Sequence, residues 1–461
     1  MKPTTPPGPR DWTGGMIIGS RFKRDILGFL TGLHRDYGDL VYIRLGPYRS
    51  YWVFHPDLAR EVLVSKAKLF RRKGRQVDVL KQWNRNSLVI SDGDDWLRQR
   101  RLVQPAFNPR RFAGYAEVMV RAAERLAERW QAANPSEIEI NSAMTDLTLA
   151  IIAKTLFDVD VSDESRKLGE AVGVLSETAM REAGQPFTLP SWLPLPSIRR
   201  KRAAMAYLDT TIRRIIAERR ASGEDKGDLL SMLLHAVDEE GDGRGMSDEE
   251  ARDQAMTLFL AGHDTTAGTL SWLWCLLAEH PEVEANVLAE VDNVLHGRLP
   301  SADDLPRLHY TEMVVKETLR LYPQAYVLFA RVPAEDVVVG DYTVPAGALV
   351  YVVPYVIQRD ARWFPEPERF DPERFSEEAA AKLPTYAHIP FGAGPRVCIG
   401  AAFATMEMVL TVATLIQRFH LALVPGQKPL EPLPLFSLRP KGPVRMTATL
   451  RSESELAGAH A

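Results

Sequence analysis

Cysteine is nearly missing from this chain, which has two, Cys275 and Cys398. Two cysteines rule out a disulfide framework, a four-cysteine zinc site and an iron–sulfur cluster of the chain's own, and their scarcity fits a reducing compartment. No run reaches the roughly 20 apolar residues needed to span a bilayer, so no membrane anchor is expected. A signal-peptide core is missing too, because Met16-Ile17-Ile18 is far too short. Neither charge dominates: the formal net charge is −3 over 461 residues, so no basic field argues for nucleic acid. No internal repeat and no flexible Gly/Ser linker interrupts the chain. What remains, 45% hydrophobic and 25% charged residues, is ordinary for a globular, cytoplasmic protein.

Residues 1–20, with Pro3, Pro6, Pro7 and Pro9, favour an extended arm. Leu40 to Leu45 and Ser50 to Phe54 flank Gly46-Pro47 and predict a hairpin. Helical patterning runs from Trp96 to Trp130, broken at Pro105 and Pro109, and returns over 141–157. The proline cluster Gln185 to Pro196 carries Phe187, Trp192 and Leu193. Two readings of it stay open: a loop packed on the core, and a mobile lid over an apolar pocket. Ile198 to Arg220 predicts a basic amphipathic helix, and the acidic stretch Asp238 to Gly245 reads as a solvated turn. Ser247-Asp248-Glu249-Glu250 is a capping box, in which the Ser247 hydroxyl accepts from the Glu250 N–H and the Glu250 side chain reaches back. The helix it starts runs to about His280, where Pro281 stops it. Apolar nearly all round from Ala255 to Leu277, it must cross the interior. Helices follow over 281–296, 309–321 and 401–419, with a β-rich region at 325–353 and a Pro/Arg/aromatic meander at 359–375.

Several groups of residues carry chemistry. In Phe391 to Gly400, Cys398 stands just before a helix start, where the helix dipole and backbone N–H groups favour a thiolate. Glycines on both sides let the backbone turn tightly and approach a flat ligand. A lone buried cysteine is usually structural; this setting points elsewhere. The long helix carries Ala261-Gly262-His263-Asp264-Thr265-Thr266, and helix interiors disfavour Gly, Asp and Thr. Glu317 and Arg320, spaced i, i+3, share one helix face; alone they would be an ordinary surface pair of little worth.

Together these residues resemble the cytochrome P450 family. Phe391, Gly394, Arg396, Cys398 and Gly400 fill every fixed position of its haem-binding signature, Phe-x-x-Gly-x-Arg-x-Cys-x-Gly. Glu317-Thr318-Leu319-Arg320 resembles its Glu-x-x-Arg motif, Pro372-Glu373-Arg374-Phe375 its meander motif, and Trp96 with Arg100 its Trp-x-x-x-Arg helix. The resemblance spans about residues 21 to 450.

It implies a mainly α fold with a small β region, a triangular prism around one haem, here haem b (iron protoporphyrin IX). Residues 21–461 would form a single haem domain behind the arm. Cys398 would ligate the iron. Trp96, Arg100, Arg331 and Arg396 would hold propionates, with Phe391 and Gly400 in the same loop. Arg374 would join Glu317 and Arg320 in a buried network. Ala261 and Gly262 would leave room for the porphyrin at a local distortion, Thr265 would hold a hydrogen-bonded water, Asp264 would relay protons, and His263 would be a variable position. Gln358, where many members have His, is left open. Leu258, Ala325 to Phe329 and Leu435 to Leu438 are pocket candidates, and Arg49 would meet a carboxylate at a channel mouth if it is not simply solvated.

The implied activity is monooxygenation of an apolar small molecule, a terpenoid, fatty acid, steroid or polyketide-like compound, with dioxygen. The stretch after Cys398 is short and holds no cysteine, so electrons are expected from a separate ferredoxin or flavodoxin with its reductase. Arg98, Arg100, Arg101, Arg110 and Arg111 would attract that partner, unless they only solvate a helix. The rival activities are a peroxygenase or isomerase, which can dispense with Asp264-Thr265, and a non-catalytic haem sensor.

Overall fold

The computed structural model describes residues 5–108, 111–133, 137–159, 163–183, 185 and 188–451. Its axis is the helix Asp248–Glu279, 32 residues long and so about 48 Å at 1.5 Å per residue. The capping box forms as the sequence requires: the Glu250 N–H donates to the Ser247 hydroxyl at 3.2 Å, and the Ser247 N–H donates to the Glu250 carboxylate at 2.8 Å. Nearly all of the helix is buried. It packs on the helices Ile140–Phe157, Pro196–Ser222 and His309–Leu321, which together enclose one large apolar core.

The small β region has a purpose visible in its register. Its main sheet runs, strand by strand, Leu40–Leu45, Tyr48–Val53, Leu349–Val352, Arg331–Pro333, Phe70–Arg72. The Tyr48–Val53 and Leu349–Val352 strands pair parallel and the other neighbours antiparallel. At one edge the register sets Arg72 directly opposite Arg331. Like charges facing across a strand pair are destabilising unless something neutralises them. A separate hairpin, Pro432–Pro434 with Leu438–Pro440, leans on the long helix.

One expectation changes. Helix begins inside the stretch read as an arm, at Met16–Arg24, because Asp11 and Thr13 accept the Ile18 and Ile17 N–H groups that a helix start leaves free. Before it, residues 12–15 form a turn and residues 6–11 have no regular structure, with the Pro7 carbonyl accepting from the Tyr42 N–H. The acidic turn Asp238 to Gly245 is solvated as the sequence suggests, with every residue but Asp238 exposed. It lies against the helix Gly93–Val103: Arg101 clasps Asp238 through two 2.6 Å bonds, and Arg98 reaches Glu250, Asp242 and the Gly245 carbonyl.

Candidate functional site

The loop Phe391–Gly400 leads into the helix Ala401–Ile416. Its turns need glycine: Gly392 and Gly394 have φ of +72° and +69°, and a Cβ on Gly394 would lie 1.9 Å from the Leu63 carbonyl oxygen. The Cys398 N–H closes the loop onto the Phe391 carbonyl at 2.9 Å. Protein surrounds the Cys398 sulfur, yet its surface is exposed, so it faces an internal cleft. Burial pushes the thiol up, while the Gly400 N–H and the Arg100 guanidinium pull it down. Desolvation therefore outweighs the helix-start effect expected from sequence, and a bound cation is what would reverse that balance.

Beside this loop stands a cluster of arginines. Burial and the nearby Arg396 charge lower Arg331 to about 10, and burial lowers Arg396 to about 10 against the pull of Asp92. Arg72, which no motif announced, completes the group: it is driven well below its ordinary value by burial and then by Arg331 and Arg396. One carboxylate, Asp92, serves all three, and it is bonded to Arg396 at 2.6 Å. The Arg396 guanidinium also lies 4.3 Å from the Trp96 ring, and that of Arg72 4.9 Å from the Phe329 ring. The buried Arg72 Nε has no hydrogen-bond partner. Two positive charges thus remain uncompensated in a desolvated site, an arrangement that asks for a dianion. The two propionates of a haem are such a pair, so these residues fit that group. Arg100 stands apart from the cluster, donating to the Val397 carbonyl at 3.0 Å beside Cys398. Trp96 and Arg100 thus meet adjacent residues of the cysteine loop, Arg396 and Val397.

The long helix opens one face. Ala261 is exposed and Leu260, Gly262 and Thr265 half-buried, in a helix whose other central positions are buried. The helix is continuous through the polar motif. Its threonines satisfy themselves by bonding back one turn, Thr265 to the Ala261 carbonyl at 2.8 Å and Thr266 to that of Gly262 at 3.0 Å. Gly262 serves packing as well as any cleft, since a Cβ there would come within 3.0 Å of Ile152. Asp264 is buried and held, its carboxylate accepting from the Ser437 hydroxyl at 2.6 Å and paired with Arg439.

His263 points away from the open face, its ring stacked near Phe259 at 6.4 Å. Burial, aided by Arg439, depresses it from 6.5 to about 3. The unfolded chain therefore binds a proton first as pH falls, so the stability present above about 6.5 is lost on the way towards about 3. Thermal melts should show a falling Tm below pH ~6.5, less steep in His263→Phe. Equal slopes in the two proteins would mean the imidazole is not buried neutral.

Behind the loop, Glu317 and Arg320 are both fully buried. Arg320 meets the Glu317 carboxylate twice, at 2.6 and 2.8 Å, and donates to the carbonyls of Gln358, Pro367 and Arg369. Arg374 joins only at 3.6 Å. Gln358 proves to be a strap: its amide donates to the Leu319 and Arg320 carbonyls, and its oxygen accepts from the Ile389 N–H, just before the cysteine loop. Sequence could not place it, because its partners are backbone groups of distant segments.

Other expectations are corrected. Arg98 and Arg101 are occupied by acidic partners and do not form a free basic patch; Arg111 is exposed and Arg110 lies outside the described residues. Leu438 and Tyr326 belong to the core, not to a pocket wall. Phe329 and Phe436 do meet, with ring centroids 6.0 Å apart. Arg49 is exposed, in keeping with the solvated reading of it. In the proline-rich connector Trp192 is 74% exposed and Leu193 half-buried, and Arg75 pins the connector through the Gln185 carbonyl and the Thr188 hydroxyl. Phe187 lies outside the described residues.

Comparison with known proteins places this geometry. A family model described as Cytochrome P450 matches residues 6–446. The chain is 40% identical to cyclooctatin synthase of Streptomyces melanosporofaciens, over 97% of this chain and 98% of that one. It is 38% identical to cyclooctat-9-en-7-ol 5-monooxygenase of the same organism, over 92% and 94%. The crystal structure of the cytochrome P450DA haem domain superposes with a TM-score of 0.88 at 26% identity, covering 98% of both chains.

Proposed function

The chain belongs to the cytochrome P450 family and is a haem-dependent monooxygenase; from that premise we propose that Cys398 ligates the iron of haem b as a thiolate while Arg72, Arg331 and Arg396 hold the propionates. The observation that carries this reading is the arginine cluster with its two uncompensated charges, set beside an open cysteine. Bound haem supplies the oxidation chemistry, using dioxygen and electrons from a redox partner to place one oxygen atom on the substrate.

The chain's own residues do the rest. Arg100 and the Gly400 N–H hold negative charge on the Cys398 sulfur. Trp96 backs Arg396, and Asp92 keeps that guanidinium in place. Ala261 leaves the open face of the long helix uncrowded, and Thr265 presents a hydroxyl on it. Asp264, the neighbouring residue, relays protons towards a water that this hydroxyl holds. Phe391 and Gly400 shape the loop. Phe329 and Phe436 give the cleft an apolar wall, which suits an apolar cyclic substrate. A terpenoid skeleton is the class we favour, supported by relatives named for a cyclic alkenol and for pentalenene. A ferredoxin or flavodoxin serves as electron donor. No helix among the described residues is long and apolar enough to cross a membrane, and we place the protein in the cytoplasm, with residues 21–461 as one haem domain.

The test is turnover of cyclic terpenoids, first screened by their spectral shift, with a surrogate ferredoxin and reductase against peroxide alone. Reductase-dependent product is expected. Thr265→Ala should keep its haem but give about tenfold less product per NADPH, the scale of one lost hydrogen bond at a charged group. Turnover with neither electron source would mean a sensor or carrier, and turnover with peroxide alone a peroxygenase.

A further inference from the structure

We propose that Ser437 and Arg439 are positioning residues for Asp264, through which the hairpin Pro432–Pro440 ties proton delivery to the substrate cleft. The inference rests on reading Asp264 as the proton relay. The hairpin is short, and its two ends do different things. At the tip, Phe436 is 37% exposed and meets Phe329, whose ring lies beneath Arg72. The tip therefore borders the same cleft as the arginine cluster. At the base, Leu438 is fully buried and its carbonyl accepts from the Trp272 indole N–H at 2.9 Å, which nails the strand to the long helix.

Between tip and base stand the polar residues. The Ser437 hydroxyl is buried and donates to one Asp264 oxygen at 2.6 Å; Arg439 pairs with the other, and its Nε lies 3.4 Å from the Ser437 hydroxyl. One carboxylate is thus gripped at both oxygens from a single strand. A buried carboxylate stays charged only while such partners hold it. The other ionisable group beside it, His263, is kept neutral by burial and adds no charge. Arg439 is itself one-third exposed on its side chain, so it links the buried acid to the protein's surface. Ser437 is the neighbour of Phe436, so a substrate that presses on Phe436 bears directly on the hold on Asp264. The geometry joins occupancy of the cleft to the hold on Asp264 without any separate regulatory site.

The experiment is a double-mutant cycle on holoprotein whose reduced carbon-monoxide spectrum is first shown to be that of a thiolate haem. Product per NADPH is measured in native protein, Arg439→Gln, Asp264→Asn and the double variant. Arg439→Gln should lose about tenfold, the double variant should be no worse than Asp264→Asn alone, and Arg439→Lys should recover part of the loss. Ser437→Ala, which removes only a hydroxyl, should show a smaller loss of the same kind. A second readout does not depend on turnover. Infrared spectra of the ferric protein at neutral pH should gain a protonated-carboxyl band in Arg439→Gln that disappears when Asp264→Asn is added. Native coupling in Arg439→Gln, additive losses, or no new band would overturn the proposal while leaving the relay reading intact. Unchanged coupling in Asp264→Asn would overturn the relay and this inference with it.

Discussion

Glu317→Ala and Arg320→Ala are each expected to yield little haem-loaded protein, with a large fall in Tm. The pair is fully buried, and Arg320 organises five acceptors: both Glu317 oxygens and the carbonyls of Gln358, Pro367 and Arg369. Removing one partner leaves a charge stranded in the core, at a cost of about 3–5 kcal/mol. That is a large share of the roughly 5–15 kcal/mol by which a domain is stable. The damage should appear at the haem site because Arg320 and Gln358 together position the segment entering the cysteine loop: Arg320 donates to the Gln358 carbonyl, and Gln358 accepts from the Ile389 N–H. Arg320→Lys should fail nearly as badly, since an ammonium cannot reproduce the planar fork that meets the carboxylate twice. Haem absorbance per protein and thermal melts check this. Full haem occupancy and native Tm in both alanine variants would show that the network is dispensable.

Local chemistry is what made parts of this fold readable. The capping box at Ser247 fixed where the long helix starts, and Pro281 where it stops, because both act within a few residues. The hairpin Leu40–Val53 and the cysteine loop were legible for the same reason. What stayed hidden depends on distant partners. Arg72 looks like any surface arginine until the strand register sets it opposite Arg331. Arg98 and Arg101 looked like a docking patch because their counter-charges, Glu250 and Asp238, lie far along the chain. The motif picks out Asp264, but of the two residues that hold it, Ser437 sits in a stretch that sequence suggests only as an apolar wall and Arg439 just beyond it. Periodicity names faces and caps name ends; neither names a partner across the core.

The second large effect concerns Cys398. Cys398→Ser should abolish monooxygenase turnover, because a serine hydroxyl cannot give iron the electron donation of a thiolate. Loss of the ligand alone should leave the fold standing, since the loop's geometry rests on Gly392, Gly394 and the bond from the Cys398 N–H to the Phe391 carbonyl, which serine retains. The variant should therefore purify with a near-native Tm while its haem environment changes. The decisive measurement is the absorption spectrum of the reduced, carbon-monoxide-bound protein. Native protein should show the red-shifted Soret band of a thiolate-ligated haem and Cys398→Ser should lose it, whereas a thiolate-type band that persists in Cys398→Ser would contradict the assignment at the centre of this account.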